Sequence, residues 1–328
     1  MLIAHFPLLT QDTLHTENAM IYSNILEAIG NTPLVKLSKI VPEDSADILV
    51  KYEGLNVGGS IKTRTAYNMI CDAEERGIIN KDTIIVEPTS GNQGIGLSLI
   101  GAVKGYKVRI IMPDSVSEER RKLIKAYGAE LVLVHDDGDI GKCIDECLRL
   151  ALDMQKNEQN VWVPQQFENG ANPDVHRNCT AKEILRDAEC TIDGFCSGVG
   201  TGGTLTGIGE ILKSANPDMM IWAVEPENAA ILSGGSIGTH LQMGIGDGLI
   251  PKNLNLDVFD DIAVVSDEEA LSITRRLIRE EGILCGISSG SNVAAALRMA
   301  KMLGKGKTIV TILADTGERY FSTELFEG

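Results

Sequence analysis

Short apolar, β-branched runs alternate along this chain with longer stretches in which apolar residues recur every three or four positions. The runs predict strands at Ile48–Glu53, Thr83–Glu87, Lys107–Met112, Glu130–Val134, Val161–Val163, Gly194–Ser197, Met220–Val224, Ile262–Val265 and Thr308–Leu313. The periodic stretches predict helices at Ser117–Tyr127, Ile140–Gln155, Asp267–Glu281 and Asn292–Met302. The strands are apolar throughout and do not alternate, as expected where helices cover both faces of a parallel sheet. The fold class is therefore α/β, and a length of 328 residues implies two domains. No repeat or long linker marks the boundary between them.

Composition narrows the partners. Acidic residues outnumber basic ones, 46 to 30, for a net charge of −16, which argues against nucleic acid, whose phosphates demand clustered cations. A single anionic ligand stays possible, because backbone N–H groups can hold a phosphate inside an acidic protein. No apolar run approaches the ~20 residues of a membrane span, so no membrane association is expected. Residues 1–19 have no cationic segment ahead of a hydrophobic one and are expected to form a flexible extension, not a secretory signal. The seven cysteines, Cys71, Cys143, Cys147, Cys179, Cys190, Cys196 and Cys285, include no CxxC pair. They are expected to be small buried hydrophobes in a reducing cytoplasm, with neither disulfides nor a metal site.

Four segments rich in Gly, Ser, Thr and Asn fall where strands give way to helices, the place where such sheets bind ligands. In Asn56-Val57-Gly58-Gly59-Ser60-Ile61-Lys62-Thr63-Arg64, Lys62 enters the first turn of a helix. A cation there opposes the macrodipole, which favours the neutral, nucleophilic amine. Taken alone, a solvated surface lysine fits this segment better.

Gly198-Val199-Gly200-Thr201-Gly202-Gly203-Thr204-Leu205-Thr206-Gly207 follows a strand and opens a helix, with glycines that admit an anion and hydroxyls that add donors. Gly198, Gly200 and Gly203 satisfy a GxGxxG spacing, and Glu225 stands where a dinucleotide fold carries its ribose-binding acid. A nicotinamide-dependent oxidoreductase is thus a competing reading, although the many threonines suit a terminal phosphate monoester better.

Glu87-Pro88-Thr89-Ser90-Gly91-Asn92-Gln93-Gly94 could hold a carboxylate at a helix N-terminus, or could simply cap that helix. Gly286-Ile287-Ser288-Ser289-Gly290-Ser291-Asn292 reads as an N-cap with spare hydroxyls ahead of an Ala-rich helix.

Together, and in this order, the segments resemble the fold-type II pyridoxal-phosphate enzymes of the cysteine synthase (O-acetylserine sulfhydrylase) and cystathionine β-synthase family. The resemblance runs from about Ile25 to Phe326, from Ile29-Gly30-Asn31-Thr32-Pro33-Leu34-Val35 to Asp315-Thr316-Gly317-Glu318-Arg319-Tyr320. It implies two α/β domains, each a mostly parallel sheet flanked by helices. The larger, cofactor-binding domain would comprise residues 20–53 and 161–328, and residues 54–160 would form a smaller domain that closes over the substrate.

It also implies a cofactor, pyridoxal 5′-phosphate, and a reaction: loss of the β-substituent of a serine- or cysteine-type amino acid through an α-aminoacrylate, then addition of sulfide, a thiol or water. Lys62 resembles the lysine that binds the cofactor covalently and shuttles protons. Gly200, Thr201, Gly202, Gly203 and Thr204 resemble the phosphate cup. Asn92 would meet the pyridine 3′-oxygen and Ser288 the pyridine nitrogen. Thr89, Ser90, Asn92 and Gln93 resemble the loop that closes on the substrate carboxylate, with Gln166 beside it. The family's habit suggests a cytoplasmic homodimer.

The chain also departs from the family pattern. Val57 stands for the usual Pro, Thr63 for Asp and Gln93 for Thr, and Gly244-Ile245-Gly246-Asp247-Gly248-Leu249 carries Asp247 where the family has a small apolar residue. Asp247 either caps its own turn or acts as a catalytic base toward water or a thiol, which would make the enzyme a consumer of cysteine that releases sulfide. A catalytically dead scaffold is the remaining alternative.

Overall fold

The apolar runs pair into two separate sheets. The computed structural model describes residues 21–138 and 140–327, so the expected extension at 1–19 lies outside the described residues. Strands β1 (Leu34–Lys36), β2 (Asp47–Tyr52), β7 (Gly194–Gly198), β8 (Met220–Pro226), β9 (Asp261–Val265) and β10 (Thr308–Leu313) make a six-stranded sheet in the order β1-β2-β10-β7-β8-β9. All its pairings are parallel except β1 with β2. Strands β3 (Ile84–Pro88), β4 (Lys107–Pro113), β5 (Glu130–Val134) and β6 (Val161–Trp162) make a fully parallel sheet in the order β5-β4-β3-β6.

Continuous apolar runs are needed because both faces of each sheet are covered. In the smaller sheet Ile85 and Ile110 face one core with Ile70, Leu97 and Ile124, while Val86 and Ile111 face another with Cys143, Cys147 and Ala151. Successive residues of one strand thus bury on opposite sides. In the larger sheet Ile309 packs with Ala294, Ala296 and Met299 of α9 (Ile287–Leu303). Its neighbour Val310 packs with Leu205, Ile208 and Leu212 of α7 (Gly203–Ala215).

Three expectations need correction. Residue 161 does not begin the larger domain, because β6 pairs with β3 in the four-stranded sheet. A strand of two residues is too short to announce its partner. The segment before Asn292 is not a loop, since α9 already starts at Ile287, after Gly286 in extended conformation. The cysteines are not all buried either: Cys179 and Cys190 are exposed, although all seven are free thiols. Among the described residues no helix is long and apolar enough to cross a membrane.

Candidate active site

Lys62 is the first residue of α1 (Lys62–Glu75), and three contacts hold it in place. The preceding loop pairs with the end of β10, where Ile61 N–H donates to the Ala314 carbonyl at 2.9 Å and Ser60 bridges Asp315. One turn in, the buried Arg64 guanidinium binds Glu53 at 2.8 Å and Glu183 at 2.7 Å, and Glu183 also accepts the buried Lys51 ammonium at 2.9 Å. Every charge in that cluster has a partner, which is the condition for burying it without a large penalty. Burial lowers the pKa of Lys62, against the opposing pull of Asp247 and Asp315. The helix start acts in the same sense, so the amine tends to the neutral form.

The glycine loop leads from β7 into α7. Gly202 has φ +78°, and a Cβ there would lie 2.8 Å from Leu254, so packing as well as conformation demands glycine. The hydroxyl of Thr201 accepts the Asn172 side-chain N–H at 2.9 Å, which leaves its own O–H to donate into the cavity. The Thr204 hydroxyl stands 3.5 Å from His176 Nε2, and burial, with the nearby Arg64 cation, holds that histidine's pKa well below its ordinary value. The first N–H groups of α7 have no intrahelical partner, and Gly202 supplies no side-chain cap. Gly203, the first residue of α7, is not in the cavity wall, and a Cβ there would come within 2.1 Å of the Asn172 amide oxygen, so packing demands glycine.

A loop of the smaller sheet faces these groups. Asn92 opens α2 (Asn92–Lys104) and Gln93 is buried beside it, with its Oε1 unpartnered and its Nε2 3.6 Å from Met69 Sδ. Thr89 Oγ1 accepts Gly91 N–H at 3.2 Å, and Ser90 is exposed at the rim. Gln166 is held by Glu87, whose buried carboxylate accepts the N–H groups of Gln165 and Gln166 at 3.0 and 3.1 Å. Burial drives the Glu87 pKa up to about 8 despite those two donors.

Twelve of the thirteen anticipated residues, all but Gly203, line one cavity of about 290 Å³ between the two sheets. Asp247 is among them, so it faces the cavity and not only its own turn. Its carboxylate lies 3.3 Å from where a Cβ on Gly200 would be, and burial raises its pKa, opposed by Lys62 and His240. Ser288 reaches the same cavity from the first turn of α9.

Other residues in the wall were not anticipated. Asn292 donates to the Ile312 carbonyl and accepts Gly198 N–H, both at 2.7 Å, and so ties the root of the glycine loop to β10. Glu225 is not free for a ribose: its buried carboxylate accepts Leu232 N–H at 2.9 Å and Ser233 N–H at 3.0 Å.

The site fits pyridoxal phosphate. Lys62 offers an amine, and the glycine loop offers unpaired N–H groups with two oriented hydroxyls, a donor set for a terminal phosphate. The sequence profile of the pyridoxal-phosphate dependent enzyme family matches residues 25–315, and the chain belongs to that family. Within the family it is of the cysteine synthase type, a β-replacement enzyme. It is 50% identical over 304 residues to a cysteine synthase of Staphylococcus aureus, covering 92% of this chain and 96% of that protein. Among solved structures it resembles O-ureido-L-serine synthase (41% identity, TM-score 0.88, 94% of this chain and 96% of that one). It equally resembles a hydrogen sulfide-producing enzyme of Fusobacterium nucleatum (43% identity, TM-score 0.86, 92% and 100%). These matches leave no place for the nicotinamide reading.

Proposed function

We propose that this enzyme consumes cysteine, releasing sulfide and delivering water or a second thiol to the β-carbon under the control of Asp247. One observation carries this reading: Lys62 and Asp247 share a cavity and lie close enough that each shifts the other's pKa. Pyridoxal phosphate, when bound, supplies the electron sink that lets the α-carbon lose a proton and the β-carbon its substituent. Lys62 would hold the cofactor and, once freed as a neutral amine, would take the α-proton. Gly200, Thr201, Gly202 and Thr204 would hold the phosphate, Asn92 would meet the 3′-oxygen and Ser288 the pyridine nitrogen. A neutral hydroxyl at that nitrogen does not stabilise ring charge, which favours expulsion of the β-group.

Thr89, Ser90 and Gln93 bind the substrate carboxylate beside Gln166, and the four-stranded half closes over it to exclude water. Hydrosulfide is already an anion that a carboxylate repels, whereas water and a thiol need a base; Asp247 thus serves cysteine breakdown better than synthesis. The second reading, synthesis of cysteine from an activated serine and sulfide, is favoured by the identity to cysteine synthases. We further place the working enzyme as a homodimer, which its mass in solution will test. The deciding experiment offers O-acetylserine, O-phosphoserine, serine and cysteine in turn with sulfide, a thiol or water. Sulfide release from cysteine faster than cysteine formation from either activated serine supports the proposal, and the reverse order sinks it.

A further inference from the structure

The C-terminal turn Asp315–Tyr320 holds a buried charged group that the reaction above does not use. Arg319 is 3% exposed and Asp315 is 1% exposed. The Arg319 guanidinium donates to the amide oxygen of Asn92 and to the Gly58 carbonyl. Asp315 Oδ2 accepts the Asn92 amide N–H at 2.7 Å and the Tyr320 hydroxyl at 2.8 Å, with the Arg120 guanidinium 3.9 Å away. The Arg319 carbonyl accepts the Ser117 hydroxyl at 3.0 Å. One residue of the six-stranded half therefore touches the lysine loop, the start of α2 and the start of α3 (Glu118–Ala126).

An asparagine amide has two N–H donors and one carbonyl. Here the carbonyl is taken by Arg319 and one N–H by Asp315, which leaves the second N–H for the cavity. A flipped amide would set N–H against guanidinium and carbonyl against carboxylate, and both contacts are repulsive at low dielectric. We propose that Arg319 and Asp315 are positioning residues that lock Asn92 with a donor, and not an acceptor, toward the ligand. The inference rests on the assignment of Asn92 to the cofactor's 3′-oxygen, and it states what selects an acceptor atom there. Stability alone is a poor reason for the arrangement, because Arg319 Nε and Asp315 Oδ1 are buried without partners.

The test uses the cofactor-loaded enzyme with Arg319→Met, Asn92→Ala and the double variant. The readings are the visible absorption band of the bound cofactor, the Kd for pyridoxal phosphate and the thermal midpoint. Arg319→Met is expected to shift the band and to weaken Kd about ten- to hundredfold, the loss of a charge-assisted hydrogen bond. In the Asn92→Ala background the same change should alter Kd less than about twofold, because its route is gone. A lowered midpoint with band and Kd unchanged overturns the proposal, and so do losses that multiply in the double variant. Should Arg319→Met fail to fold, Asp315→Ala removes the other partner of the amide, and an unchanged band and Kd there overturns it equally. Failure of the underlying site assignment is distinguishable, since Asn92→Ala alone would then leave both the band and the Kd unchanged.

Discussion

The carboxylate of Glu87, at the end of β3, accepts the backbone N–H of Gln166 at 3.1 Å and thereby joins two loops of the cavity wall. Its pKa, about 8 against an ordinary 4.5, means that the folded protein binds a proton that the unfolded chain releases between those values. The resulting stabilisation is complete below pH 4.5 and is lost as pH rises through 8. Glu87→Gln is neutral throughout, so its thermal midpoint should fall less than that of the unsubstituted protein between these pH values. Parallel midpoint–pH curves for the two proteins would show that Glu87 does not titrate there.

Lys62 has the opposite sign. Its pKa is depressed by burial, so below 10.5 the unfolded chain holds a proton that the folded state resists, and stability falls as pH drops. In the cofactor-free protein Lys62→Met should remove that burden, raising stability at pH 7 by on the order of 1 kcal/mol and by less near pH 10. Turnover should vanish. Calorimetry at the two pH values checks the sign, and a destabilised variant at pH 7 would refute the electrostatic account.

The α/β class and the chemical loops were legible because each is written in consecutive residues: a β-branched run, then glycines and hydroxyls, then a helix. Lys62 stands at a helix start, yet only the resemblance carried by the four segments together marks it as the cofactor lysine. The partners of these loops were not legible. Arg319 meets Asn92 across 227 residues and Glu87 meets Gln166 across 79, separations that leave no local pattern. The same holds for Asn172 behind Thr201, which reads as an ordinary polar residue until the fold places it there. Strand β1 escaped because three residues carry no period, and Glu225 misled because spacing alone cannot tell whether a carboxylate is already occupied.

At Gly202 the structure changes the reason for an effect, and with it the expected signature. The glycines of the loop admit an anion, yet a Cβ on Gly202 would meet Leu254, at a φ of +78°. Gly202→Ala should therefore destabilise the cofactor-free protein by about 1–3 kcal/mol as well as weaken cofactor binding. Thr204→Val changes no backbone and should cost roughly tenfold in affinity for pyridoxal phosphate while leaving the cofactor-free midpoint in place. Titration of the cofactor against both variants, with their melting curves, separates the two. Unchanged stability in Gly202→Ala would return the effect to the ligand space.

On the proposed reading, Asp247 decides which way the chemistry runs. It lines the cavity with Lys62, and burial raises its pKa, the direction that makes a carboxylate a better base. The positive φ of Gly246 and Gly248 on either side, +71° and +79°, sets the turn that presents it. If it activates the nucleophile, then Asp247→Ala with cysteine as substrate should still expel sulfide in a first turnover, because that step depends on Lys62. Formation of serine, or of a thioether with an added thiol, should fall about 10²- to 10⁴-fold, the usual worth of a positioned base. Hydrosulfide addition to an activated serine should be spared or accelerated, since a repelling charge has gone. Sulfide and serine must be followed separately, in single-turnover and steady-state runs. Serine formation at the unsubstituted rate would remove Asp247 from the mechanism, and equal loss of sulfide and serine would assign it to substrate binding.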